Sequence, residues 1–161
     1  MSKKLYCYSF RDFVDRFEGV ETLPEDSVAI SICTPGSHVE YHKFTSADNV
    51  LNLDFDDIDN GAYGGELFDI EMAACVVDFV MRHADKHFYV HCAAGQSRSQ
   101  AIVKFIYFYI DGQWELNPHN SDYSGANRRV YNSLLEAFSA RKPDFLRNKI
   151  LPNRKTHLFD V

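Results

Sequence analysis

The run His91-Cys92-Ala93-Ala94-Gly95-Gln96-Ser97-Arg98-Ser99 places a nucleophile, a cluster of small residues and a permanent cation within a few positions of one another. Between a strand and a helix, small residues let successive backbone N–H groups converge on one point. Such a bend forms an anion nest, and the helix dipole adds positive potential to it. The same environment favours a thiolate over a thiol at Cys92. Arg98 adds a planar fork that matches two oxygens of a phosphate. A nucleophile at the base of an oxyanion receptor suits attack on a tetrahedral phosphoryl group, with a covalent phosphocysteine intermediate. The expected phosphate contacts are Ala93, Ala94, Gly95, Gln96, Ser97 and Arg98. The plainer reading is a buried cysteine at a strand end with an unrelated surface arginine. That reading leaves the accompanying His91, Gly95 and Ser99 without a reason.

His91 through Ser99 also fills every fixed position of the pattern His-Cys, two residues, Gly, two residues, Arg, then Ser or Thr. In this the chain resembles the cysteine-dependent tyrosine and dual-specificity phosphatases, most clearly over Leu5 to Phe138. The resemblance implies a protein-tyrosine-phosphatase-like fold, a phosphorylated protein or peptide as substrate, and no cofactor. It makes Cys92 the nucleophile and Arg98 the group that binds phosphate and stabilises the transition state. Ser99 would hydrogen-bond the sulfur and help it leave. His91 would hold the loop by hydrogen bonds, set against a satisfied buried histidine with no influence on Cys92. The family also supplies an aspartic acid upstream of the cysteine to protonate the leaving oxygen. Asp54, Asp56, Asp57 and Asp59 are available, with a solvated acidic loop as the plain alternative. Matching the family's pattern of an apolar strand followed by Asp selects Asp57, with Asp56 as runner-up. Members acting on inositol phosphates often carry lysines in the loop. Ala93, Ala94, Gln96 and Ser97 are uncharged, which favours a singly phosphorylated substrate. In some relatives a cysteine placed like Cys33 forms a reversible disulfide with the nucleophile, so Cys33 is a candidate redox partner, with an ordinary buried thiol as the alternative.

The elements that must position these residues alternate along the chain. Leu5–Ser9 reads as a strand, and Ser9 as the cap of a helix carrying Phe10, Phe13, Val14 and Phe17 and ended by Gly19. Val28–Cys33 is a compact apolar run stopped by Thr34-Pro35-Gly36. Val50–Phe55 alternates as a half-buried strand should, and a loop rich in Asp, Asn and Gly follows from Asp56 to Gly65. Leu67, Ile70, Ala74, Val77 and Met81, with Val76 and Val80 beside them, make one helical face. His87–His91 is the next strand. From Ser97 to Ile110 the sequence is apolar almost all round, which predicts a buried helix ended by Gly112 and Asn117-Pro118. A last helix is expected over Ala126–Phe138, with one of Asn127, Arg128 and Arg129 at its start a pocket-mouth candidate, set against the favoured reading of a solvated helix start, and a tail follows from Pro143. Strand–helix alternation predicts one α/β domain over 1–161, with a mainly parallel sheet flanked by helices. Ligands in such sheets bind beyond the strand carboxyl ends.

Composition narrows the remaining choices. The chain has 161 residues, 45% of them hydrophobic and 25% charged, so it can bury a core and is neither disordered nor fibrous. A net charge of −6 gives no general attraction to nucleic acid or an anionic membrane. No apolar run is long enough to span a bilayer, and the Met-Ser-Lys-Lys start does not read as a secretory signal. The scattered Cys7, Cys33, Cys75 and Cys92 fit a reduced, cytoplasmic protein, with Cys7 and Cys75 as core residues. His38, His42, His83 and His119 lack metal-ligand spacing, so no metal is expected, and a calcium loop fails on register at Ile58 and Leu67. A rhodanese-like sulfurtransferase, or a catalytically silent phospho-binding module, remains the rival reading of the same cysteine loop.

Overall fold

A computed structural model describes residues 2–62, 64–118 and 123–141; His119 and the tail from Pro143 lie outside them. The strands are β1 (Lys3–Ser9), β2 (Ser27–Cys33), β3 (Val50–Asp54), β4 (His87–Cys92) and β5 (Trp114–Leu116). The helices are α1 (Phe10–Arg16), α2 (Ile70–Arg82), α3 (Arg98–Tyr109) and α4 (Arg128–Arg141). All five strands run parallel in the order β3-β2-β4-β1-β5, giving a single α/β domain with helices on both faces. Because the strands are parallel, Ser9, Cys33, Asp54 and Cys92 all end at one edge. The two most buried of these strands, β4 and β2, lie at the centre.

Strand alternation assigns side chains to two cores. Leu5, Cys7, Ile30, Ile32, Val90 and Cys92 join α2, α3 and α4 on one face. Ala29 and Tyr89, with Tyr6 and Tyr8, meet Phe13 of α1 and Phe17 just after it on the other. The expected buried helix is α3, whose residues from Arg98 through Ile106 are all buried. Its single lysine, Lys104, is tolerated because its ammonium lies 4.5 Å from the centre of the Tyr131 ring.

Several details differ from the sequence reading. α2 begins at Ile70 with Asp69 as its cap, the Asp69 carboxylate accepting from the Met72 N–H at 2.8 Å. Its buried stripe is Ala73, Val76, Val77 and Val80, not Leu67, Ile70 and Ala74, and Ile70 is half exposed. With Phe79 also buried, the inward side is set by packing against α4 and the sheet, and Cys75 is exposed. β5 was not expected. Three residues carry no periodicity, yet pairing of Lys3–Leu5 with Trp114–Leu116 extends β1 by two residues at its start. The Asn117 side chain then continues the edge, accepting from the Cys7 N–H at 3.0 Å and donating to the Cys7 carbonyl at 2.9 Å.

Candidate active site

Cys92 ends β4 at 2% exposure, at the floor of a bend whose residues Ala93 and Ala94 face solvent. Its Sγ accepts from the Gly95 N–H at 3.3 Å and lies 3.0 Å from the Ser99 hydroxyl. Both partners can donate to the sulfur. The bend is pinned to the end of β1 by the Phe10 N–H, which donates to the Ala93 carbonyl at 3.0 Å. Gly95 has φ +71°, and a Cβ there would lie 2.6 Å from the Ser9 nitrogen and 2.7 Å from the Tyr8 carbonyl carbon. Both obstacles are backbone and cannot swing away. Gly95→Ala is therefore expected to lose about 2–4 kcal/mol of stability in urea titrations, from the left-handed conformation plus overpacking.

Arg98 opens α3 and is 4% exposed. Its Nη1 donates to the Phe55 carbonyl at 2.7 Å, tying the guanidinium to the end of β3. Among the described residues no carboxylate pairs with it, and its buried Nε has no hydrogen-bond partner. A buried, uncompensated guanidinium with donor capacity unspent is costly unless an anion meets it. Ser97, at the cap position of α3, makes no capping bond; its hydroxyl donates to Asp57 instead, at 2.6 Å. The first-turn amides of α3 are thereby left without a side-chain cap.

Asp57, Cys92, Ala93, Ala94, Gln96, Ser97, Arg98 and Gly125 line one cleft of about 270 Å³. All the expected phosphate contacts except Gly95 line this wall; Gly95 sits behind it as the donor to sulfur. The four acidic candidates separate cleanly. Asp54 turns to His42 at 3.0 Å, and Asp56 closes its own loop by accepting from the Glu66 N–H at 2.7 Å. Asp59 lies in an adjoining cleft of about 510 Å³, which Asp57 and Ser97 share. Only Asp57 of the four stands in the cleft with Cys92.

Two residues join the site without having been singled out for these tasks. Asn127 donates to the Asp57 carboxylate at 2.9 Å and accepts from the Val130 N–H at 3.0 Å, so one side chain orients the acid and caps α4. Its own N–H donates to the Ser97 carbonyl at 3.1 Å. α4 begins at Arg128, two residues later than expected, which puts Asn127 directly before it, where an Asn is a capping signal; of the neighbouring pair, Arg128 lines the adjoining cleft and Arg129 donates to the Phe68 carbonyl. The second is Cys7, whose Sγ lies 3.1 Å from the Ser99 hydroxyl, on the same oxygen that meets Cys92. Burial pushes its thiol up to about 12, against the lowering effect of Ser99. Cys33 shares its side of β2 with Ser31, away from Cys92 by strand alternation, and its Sγ lies 3.6 Å from His42 Nδ1. Burial first, then Glu40 and Asp54, raises the Cys33 thiol to about 11. The thiol beside the candidate nucleophile is thus Cys7.

Donor atoms of Cys33, His42 and Asp54 lie within 4.8 Å of one another. Both ring nitrogens of His42 are nevertheless engaged, with Ser31 at 2.7 Å and Asp54 at 3.0 Å, so the cluster reads as a hydrogen-bonded group.

His91 is fully buried, with its ring 4.4 Å from that of Phe13. Burial disfavours the imidazolium and lowers its pKa from 6.5 to about 4; His42 and Arg98 push the same way, against the Cys92 carbonyl. The unfolded chain therefore binds this proton first as pH falls. The contribution of His91 to stability is complete above about pH 6.5 and is lost toward pH 4, by about 3 kcal/mol. Denaturant titrations at pH 7 and pH 4.5 are expected to show a loss in the wild type that is smaller in His91→Gln.

No helix among the described residues is long and apolar enough to cross a membrane. Comparison with protein-family models, with curated proteins and with solved structures finds no match to this chain.

Proposed function

We propose that the protein is a cysteine-dependent phosphatase of the tyrosine or dual-specificity type, acting on phosphorylated protein or peptide without a cofactor. The observation that carries this reading is the convergence on one cleft of a sulfur held by the Gly95 N–H and Ser99, a buried guanidinium with an unspent Nε, and the Asp57 carboxyl. In the first step the Cys92 thiolate attacks phosphorus and the ester P–O bond breaks. The leaving oxygen takes the electron pair and a proton from Asp57. In the second step water attacks phosphorus and gives its proton to the Asp57 carboxylate. The P–S bond breaks, the pair returns to sulfur, and the Ser99 hydroxyl stabilises the departing thiolate. Inorganic phosphate is released. Arg98 and the amides of the bend stabilise the charge that builds on the equatorial oxygens. The uncharged Ala93, Ala94, Gln96 and Ser97 support a singly phosphorylated substrate.

The test is turnover of aryl phosphates that differ in leaving-group basicity. Asp57→Asn is expected to lower kcat by about 10²–10⁴-fold with a basic phenol and far less with an acidic one, as removal of a general acid requires. Asp56→Asn is expected to stay within a few-fold. A wild type inert toward every aryl phosphate but active with thiosulfate would overturn the reading in favour of sulfur transfer.

A further inference from the structure

Beneath the bend, on the α1 side of the sheet, a chain of hydrogen bonds links a surface carboxylate to the main chain of Cys92. His91 Nδ1 lies 3.3 Å from the Cys92 carbonyl, and His91 Nε2 lies 2.7 Å from the Ser31 hydroxyl. The same hydroxyl lies 2.7 Å from His42 Nδ1, and His42 Nε2 lies 3.0 Å from Asp54 Oδ1. Ser31 is 2% exposed and His91 0%, whereas the His42 and Asp54 side chains reach solvent at 21% and 60%. The chain therefore has a wet end and a dry end.

Counting protons gives it a direction. A carbonyl only accepts, so His91 Nδ1 carries the hydrogen. Burial keeps this ring neutral, so its Nε2 is bare and must accept from the Ser31 hydroxyl. With its one proton spent, Ser31 Oγ can only accept from His42, so His42 Nδ1 carries hydrogen. A carboxylate also only accepts, so His42 Nε2 carries one too. A His42 protonated on both nitrogens serves both bonds at once and pairs with Asp54. When His42 is neutral and keeps the proton facing Asp54, its bare Nδ1 competes with the bare Nε2 of His91 for the Ser31 hydroxyl proton at 2.7 Å, the Cys33 thiol at 3.6 Å being a more distant and weaker donor. Giving it to His42 forces His91 to carry hydrogen on Nε2 and sets its bare Nδ1 against the Cys92 carbonyl.

We propose that Ser31, His42 and Asp54 are positioning residues, and that the protonation of His42, passed through the Ser31 hydroxyl, decides which nitrogen of His91 faces the Cys92 carbonyl. The groups around His42 are consistent with this role. Asp54 on β3 faces it as ion-pair partner, Cys33 on β2 is held as a neutral thiol, and neutral His91 on β4 carries no charge. Glu40, on the same segment as His42, is engaged with Thr34, and the Arg98 guanidinium lowers the pKa of both His91 and Cys33. The inference concerns the ring tautomer and stands apart from the phosphatase reading.

Two-bond ¹H–¹⁵N correlation spectra of the histidine rings across pH 5–9 test it. The expected result is that His91 ¹⁵N shifts move with the midpoint of His42, although His91 itself stays neutral. The rate of Cys92 alkylation by iodoacetamide is expected to inflect at that same midpoint. Ser31→Ala should uncouple the two rings, so that His42 titrates and His91 stays still. Asp54→Asn alters an exposed group and tests the same link without touching the core; the His42 midpoint and the His91 inflection should move together to lower pH. His91 shifts that stay flat through the titration of His42, or that keep their midpoint in Asp54→Asn, would overturn the proposal.

Discussion

Cys92→Ser is expected to remove hydrolysis of aryl phosphates almost completely, by about 10⁴-fold or more in kcat, while the protein still folds. The substitution exchanges one small atom at the floor of the bend. The Gly95 N–H and the Ser99 hydroxyl can bond an oxygen there as they bond sulfur, so structural cost is small. The chemical cost is large. In the proposed mechanism a thiolate needs no base, whereas a hydroxyl needs one, and among the described residues only the Gly95 N–H and the Ser99 hydroxyl are hydrogen-bonded to that position. Steady-state turnover beside a thermal denaturation curve checks both halves. Activity within tenfold of the wild type, with the fold intact, would exclude Cys92 as the nucleophile. Loss of phosphate turnover with retention of phosphopeptide binding is the expected companion result.

Arg98→Lys is expected to lower kcat by about 10²–10³-fold, the loss associated with removing a preorganised oxyanion donor. Charge is conserved, so a purely electrostatic clamp would tolerate the change. The geometry argues otherwise. The arginine spends one nitrogen on the Phe55 carbonyl at 2.7 Å and keeps Nε, buried, for another acceptor. A lysine has a single nitrogen and cannot hold β3 and an oxyanion at once with the same planar fork. Because Phe55 precedes Asp56 and Asp57, the variant should also loosen the segment that carries the acid. Product inhibition by inorganic phosphate should weaken along with kcat. Kinetics within a few-fold of the wild type would show that Arg98 serves the fold alone.

Much of the architecture was legible because it is written in local pattern. The apolar run of β2, the Ser9 cap of α1 and the all-round apolar α3 are short-range signals, and each element formed where its pattern lay. The segment from His91 to Ser99 is contiguous, so its strand–bend–helix context could be read directly. What escaped was set by pairing across the chain. β5 is too short to have a period, and exists because β1 offers it an edge. The buried stripe of α2 was set by packing chiefly against α4, which left Cys75 outside, against expectation. Choosing among Asp54, Asp56, Asp57 and Asp59 needed the positions of His42, Glu66, Ser97 and Asn127, which come from four other segments.

By itself, then, the sequence determined that a sulfur, a glycine bend and a guanidinium would follow one another from strand to helix. Chain connectivity holds such neighbours within a few ångströms whatever the rest of the molecule does. Only the tertiary structure decided which carboxyl meets them, that Cys7 shares the Ser99 hydroxyl with Cys92, and that Ser31 and His42 stand behind His91. Those meetings depend on the order β3-β2-β4-β1-β5 and its register, a global solution to burying both faces of one parallel sheet, on which no single segment carries the information.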